Sequence, residues 1–188
     1  MKALVITPVK DSPETVRKTI AAVSEAQGEF EYFVFNDFSN PETKYFLENN
    51  QSRFRYTLIN LEEYTKTASP NYNLVLKMGQ RMALERQVHL ILIESDVIIR
   101  SDTITDLISI AEKVQKPGLV GLATVDHHGR FNFPYSYLKE NEEIISETSR
   151  SLSFCCTLLS LPFIKEYSFE NLPCKKDWYD IFISRQAR

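Results

Sequence analysis

Glycine is scarce here, with five residues in a chain of 188. None falls into a G-x-G-x-x-G or G-x-x-x-x-G-K pattern, which argues against a dinucleotide fingerprint and an ATP-binding P-loop. Cysteine is scarcer: Cys155, Cys156 and Cys174. An odd count with two neighbours in sequence does not make a disulfide framework, and no CxxC or Cys/His spacing suggests zinc. Reduced thiols in a cytoplasmic setting are the expectation. There is no basic tract. The 22 Lys and Arg are scattered against 25 Asp and Glu, net charge −3, so no nucleic-acid partner is expected. No apolar stretch approaches the roughly 18 residues of a membrane span, so no transmembrane segment is expected. Peripheral association with the inner face of a membrane stays open. The opening "MKALVITPVK" runs straight into "KDSPE" with no small-residue cleavage site, and reads as a first strand instead of a signal peptide. Repeats and low-complexity segments are absent.

What is present is a 43% apolar chain, enough for a real core in one domain spanning residues 1–188. Short β-rich runs alternate with helix-like segments. Strands are predicted at 2–9, 30–37, 54–61, 88–95, 118–125 and 151–161. Helices are predicted at 11–28, 40–50, 72–87, 101–115 and 176–188, with Asp11 or Ser12 capping the first and Pro13 in its first turn. Such alternation implies an α/β fold with a mainly parallel sheet covered on both faces. In sheets of this kind ligands bind beyond the carboxyl ends of the strands.

Two acidic strand ends are therefore conspicuous. "HLILIESDVIIR" (89–100) places Glu94 and Asp96 where its apolar run stops, and "FVFNDFSN" (33–40) does the same with Asp37. An ionised carboxylate buried without a partner is costly, so a cation, a set of donors or solvent is expected at that edge. The plainer readings are that Glu94 and Ser95 cap a turn and that Asp37 forms an Asx turn before Pro41. "VDHHGRFNF" (125–133) also invites attention. Adjacent imidazoles diverge, however, and Asp126, His127 and His128 read better as a surface loop than as metal ligands. Cys155 and Cys156 lie in an apolar run and read as inert packing residues.

Taken in order, these blocks resemble family 2 glycosyltransferases of the GT-A fold. "LVITPVKDSPETVRKTIAAV" is similar to that family's first strand and helix, and "FVFNDFSNPET" to its second strand ending in Asp-Asp-Gly-Ser. "VLKMGQRMA" resembles its Ala-Leu-Asn-x-Gly helix, "LILIESDVII" stands at its acidic metal motif, and "CKKDWYDIFISRQAR" resembles its Glu-Asp segment with a following Arg. The resemblance implies a three-layer α/β/α, Rossmann-like fold with a mixed, mainly parallel sheet. It implies sugar transfer from a nucleotide-diphosphate sugar, UDP first among them, to a saccharide or lipid-linked acceptor, with Mn²⁺ or Mg²⁺ on the diphosphate.

Carried over residue by residue, Asp96 is the metal ligand. Glu94 assists on the metal or the ribose, and Ser95 contacts the nucleotide. Asp37 takes a base N–H, Thr7, Pro8 and Val9 line the base pocket, and Lys66 or Lys77 meets the diphosphate. Asp177 is the expected general base of an inverting transfer, with Asp180 the competitor because the spacing to Arg185 falls between the two. Trp178 and Tyr179 would floor an acceptor site or anchor the core. The departures are Glu-Ser-Asp in place of a run of aspartates, Phe38 for the family glycine, Lys176 for its glutamate, and a chain that stops early in the last helix. The rival readings are a GT-A-like domain that binds nucleotide or saccharide without transfer, a sugar nucleotidyltransferase and a flavodoxin-like module with an acidic pocket.

Overall fold

The first strand, β1 (Ala3–Val9), is buried at every position but Pro8. Its side chains alternate between two hydrophobic layers: Ala3, Val5 and Val9 enter one, Leu4 and Ile6 the other. A strand apolar on both faces belongs in the middle of a sheet covered twice. The computed structural model describes residues 1–115, 117–138, 145–172 and 178–187. In chain order β1 is followed by α1 (Pro13–Glu25), β2 (Phe30–Asn36), α2 (Pro41–Asn49), α3 (Gln51–Phe54), β3 (Thr57–Asn60) and α4 (Tyr72–Arg86). Then come β4 (His89–Ile93), α5 (Thr103–Lys113), β5 (Leu119–Gly121), β6 (Cys156–Leu159), α6 (Leu161–Glu166) and α7 (Tyr179–Gln186). The sheet order is β3-β2-β1-β4-β6-β5, parallel from β3 to β4, with β6 antiparallel to both neighbours.

One layer is built by Val16, Ile20 and Val23 of α1, Phe46 and Leu47 of α2, and Ile104, Leu107 and Ile108 of α5. The other holds Val75, Leu76 and Ala83 of α4, Phe163 and Ile164 of α6, and Tyr179 and Ile183 of α7. Gly79 lets α4 lie flat on the sheet: a Cβ there would stand 2.7 Å from Ile6 Cδ1 and 3.4 Å from Leu90 Cδ1. This three-layer arrangement is the one expected from the strand-helix alternation.

Several predicted boundaries move. The strand expected at 54–61 is only Thr57–Asn60, because Gln51–Phe54 is a helical turn closed by Arg55 in a left-handed conformation, φ 53°. The strand expected at 118–125 shortens to Leu119–Gly121. The strand expected at 151–161 is Cys156–Leu159, since Ser160 accepts from the Phe163 N–H and starts α6 with a proline in its first turn. In the expected 176–188 helix the described part is Tyr179–Gln186. Among the described residues no helix is long and apolar enough to cross a membrane.

The topology opens a crevice between β1 and β4. From β1 the chain moves outward to β2 and β3, then crosses back to β4 on the other side of β1, so the loops beyond β1 and β4 diverge. Pro8 leaves β1 unpaired on that side. Odd residues of β1 bond towards β2, as in Ala3 N–H to Glu29 O and Asp37 N–H to Val9 O, and even residues bond towards β4, as in His89 N–H to Lys2 O. Pro8 thus turns a nitrogen without a hydrogen towards β4, and that ladder ends at Ile6–Leu92, three pairs short of the Val9–Asn36 end of the β1–β2 ladder. Pro8 does not terminate β1. It lies inside the strand, opposite Phe35, and ends pairing on one side only.

Candidate active site

Because β1, β2 and β4 are parallel, their carboxyl ends reach one edge. Asp37 directly follows β2 and Glu94 directly follows β4, so the two acidic strand ends share that edge. The Asp37 carboxylate is buried and already engaged. It accepts from Ser69 Oγ at 2.8 Å, from the Asn71 N–H at 2.7 Å and from Asn71 Nδ2 at 2.7 Å, which ties the loop before α4 to the end of β2. A carboxylate offers about four acceptor positions, so one remains. The Asx-turn role falls to its neighbours: Asn36 Oδ1 accepts from the Ser39 N–H and Asn40 Oδ1 from the Thr43 N–H. Phe38 takes φ 55°, the left-handed conformation that suits glycine, at a cost of about 1–2 kcal/mol. Asp11 and Ser12 are left-handed too, at φ 58° and 57°, and Asp11 Oδ1 accepts from the Asn40 N–H. The β1–α1 and β2–α2 loops are thereby cross-linked in a strained arrangement beside the crevice.

On the β4 side the carboxylates have fewer donors. Glu94 is half-buried, and burial is the main reason its carboxyl is pushed above the usual range. The nearby carboxylates of Asp96 and Asp180 push it further, and a hydrogen bond with the Cys155 thiol opposes them. Asp180, in the first turn of α7, is also raised by burial, partly offset by backbone N–H groups including that of Ile181 at 2.7 Å. Asp96 is exposed. Among the described residues none of Glu94, Asp96 and Asp180 forms an ion pair. The turn read for Glu94 and Ser95 also exists, closed by the Val97 N–H on Glu94 O at 3.2 Å.

The remaining predicted residues scatter more. Thr7 is fully buried and its hydroxyl accepts from Tyr32 Oη at 3.0 Å, and Val9 is buried with its carbonyl committed to the Asp37 N–H. Lys66 is exposed on the loop that Asp37 anchors, with no ion pair among the described residues. Lys77 pairs with Glu170 at 3.5 Å. Asp177 lies outside the described residues. Trp178 is exposed, whereas Tyr179 is buried with its ring centroid 5.9 Å from that of Tyr72. The His127–His128 segment is an exposed turn in which Asp126 pairs with Arg130 at 2.8 Å, as a surface loop should be.

Cys155 corrects its sequence reading. It stands just before β6, half-exposed, and its thiol meets Glu94 and Ser153 Oγ, the latter at 3.0 Å; burial pushes it up to about 11. Its carbonyl receives the Glu94 N–H at 3.0 Å. Tyr72, Ser69 and Asn71 also belong to this edge and were not singled out, because polar or aromatic residues at a helix start carry no distinctive spacing. A separate cavity of about 650 Å³ runs along β5, α7 and parts of residues 131–138 and 145–152, and none of Asp37, Glu94, Asp96 and Asp180 lines it.

Comparisons fit this geometry. A search of curated proteins returns no match. Among solved structures, Staphylococcus aureus TarS 1-349 in complex with UDP superposes with a TM-score of 0.73 at 18% identity, over 100% of this chain and 55% of TarS. The TarS complex with UDP-GlcNAc gives a TM-score of 0.71, also at 18% identity, over 100% and 53%. The mannosyltransferase PcManGT from Pyrobaculum calidifontis, in complex with GDP-Man and Mn²⁺, gives 0.63 at 13% identity, over 88% of this chain and 46% of that one. At these identities the likeness shows a shared GT-A fold, and the present chain spans about half of the TarS 1-349 fragment and 33% of the longer TarS chain. The profile of glycosyl transferase family 2 matches residues 4–164, most of the length, and the chain belongs to that family of glycosyltransferases.

Proposed function

We propose that the protein moves a sugar from a UDP-sugar to a hydroxyl of a saccharide or glycolipid acceptor, with inversion at the anomeric carbon. The observation that carries this reading is the group of un-neutralised carboxylates, Glu94, Asp96 and Asp180, at the β1–β4 opening on the same edge as Asp37. In this reading Asp37 uses its remaining acceptor position for a base N–H, and the backbone of Thr7, Pro8 and Val9 lines the base. Ser95 contacts the nucleotide, and Lys66, free of ion pairing among the described residues, reaches the diphosphate.

The donor set fits a divalent ion brought in with the substrate and not a resident one. Among the described residues no cluster of three or more ligating side chains exists. Mg²⁺ or Mn²⁺ held by one or two carboxylates and substrate phosphates needs no more than Asp96 assisted by Glu94. When bound, such an ion offsets the charge that grows on the departing diphosphate. The chain's own work is to orient the donor and to take a proton. An Asp carboxylate accepts the proton of the acceptor hydroxyl, the acceptor oxygen bonds to the anomeric carbon from the opposite face, and the bond to the β-phosphate oxygen breaks with its electron pair leaving on UDP. Asp177 is the base by resemblance to the family's Glu-Asp segment; Asp180 is the alternative and has the burial that favours proton uptake. Free thiols at Cys155 and Cys156 suit a cytoplasmic enzyme of surface polysaccharide or glycolipid assembly at the inner membrane face.

The test is calorimetric titration with UDP and GDP, with and without Mn²⁺ or Mg²⁺, followed by assay of UDP release from UDP-sugars. Metal-dependent UDP binding and slow UDP release are expected. Binding without release would make the chain a nucleotide-binding domain, and absence of binding by either diphosphate would end the reading.

A further inference from the structure

Tyr72 opens α4 at the edge where Glu94 and Asp180 gather. Its ring leans on Tyr179 in the second hydrophobic layer, and its hydroxyl oxygen is buried with no hydrogen-bond partner among the described residues. A buried hydroxyl left unpaired costs about 1–3 kcal/mol, so the position is unfavourable unless something else uses it. Burial, reinforced by the carboxylates of Glu94 and Asp180, pushes the phenol well above its ordinary range. It keeps its proton and can offer a donor. The carboxylates beside it, once ionised, offer only acceptors.

A donor with carboxylate acceptors in its neighbourhood complements a group that both accepts and donates. A phosphate oxygen only accepts, so it could answer the phenol but not a carboxylate. A sugar hydroxyl does both. Resting on the sugar-transfer reading above, we propose that Tyr72 and the adjoining carboxylate grip one hydroxyl of the transferred sugar, making Tyr72 a specificity-determining residue for the donor. Asp37 and Asn71, one residue before Tyr72, serve the nucleotide end, and Tyr72 serves the sugar end.

The experiment compares wild type with Tyr72→Phe by calorimetry in Mn²⁺, using UDP, UDP-glucose, UDP-N-acetylglucosamine and the 3-, 4- and 6-deoxy forms of the better-bound sugar nucleotide. UDP is expected to bind both proteins within twofold. The UDP-sugar is expected to bind the variant about tenfold more weakly, the loss of one buried hydrogen bond. One deoxy form is expected to show the same tenfold loss with wild type and no further loss with the variant. Equal weakening of UDP and UDP-sugar, no weakening, or deoxy penalties unchanged by the substitution would each overturn the proposal. Melting curves separate a structural role. Removing an unpaired hydroxyl leaves Tm unchanged or higher, whereas a lowered Tm or failure to fold would show a structural bond and overturn it. Failure of wild type to bind UDP or either UDP-sugar strikes the sugar-transfer reading itself, a result distinct from all of these.

Discussion

The two ends of the parallel strands treat charge in opposite ways. At the amino-terminal edge the charges are matched: the Met1 amino group with Glu29 at 3.1 Å, Lys2 with Glu112 at 2.7 Å and Arg86 with Glu31 at 3.0 Å. His89, which opens β4, accepts the Leu161 N–H at 3.0 Å. At the carboxyl-terminal edge Glu94, Asp96 and Asp180 are in no ion pair among the described residues, and Glu94 and Asp180 are raised by burial. An edge built only for stability would resemble the first. The second keeps acids together against their own repulsion, the state expected where a cationic or hydroxyl-bearing ligand completes the balance.

This contrast can be broken by substitution. The largest effect is expected at Asp96: Asp96→Asn should lower UDP release at least about 100-fold and abolish metal-dependent UDP binding. Because the residue is exposed, the melting curve should barely move. A large fall in Tm would mean that Asp96 holds the fold and not a ligand. Next come the candidate bases. Asp177→Asn should cut transfer by about 10²–10⁴-fold with UDP affinity kept. If that loss belongs to Asp180→Asn alone, the base is Asp180. Asp37→Ala should do two things at once. It leaves the Asn71 N–H unpaired, costing about 1–3 kcal/mol on a urea unfolding curve, and it weakens UDP binding.

At the quieter edge the expectations are thermodynamic. Burial lowers the His89 pKa below 6.5. The folded state therefore binds fewer protons than the unfolded chain as pH falls past 6.5. Stability is complete above that pH and declines below it, since the imidazolium can no longer accept the Leu161 N–H. Urea midpoints between pH 5 and 8 should show this slope, and His89→Asn, which keeps an acceptor without titrating, should flatten it. The smallest effect belongs to Lys2→Ala. This exposed ion pair should contribute a Tm change within the scatter of the curve, smaller still in high salt.

Much of this was legible beforehand. The strand-helix alternation, Pro13 in the first turn of α1, and the arrival of Asp37 and Glu94 at one edge follow from apolar period and chain order. Lys77 was not legible, because a lysine on an amphipathic helix gives no sign that Glu170, ninety-odd residues later, will claim it. Cys155 was missed for the opposite reason. It sits in an apolar run that reads as core, yet the strand starts one residue later and leaves its thiol at the edge. Phe38 suggested an altered turn, whereas the backbone keeps a glycine-like φ and bears the strain.

The amino-acid sequence alone determined the layered α/β class and the family resemblance, because these depend on local periodicity and on motifs in linear order. Tertiary structure decided which acids remain un-neutralised, which are saturated by loop donors, and where a buried hydroxyl lacks a partner. Those outcomes depend on distances between segments far apart in the chain and on the water removed when they pack, and neither quantity is written in any single stretch of residues.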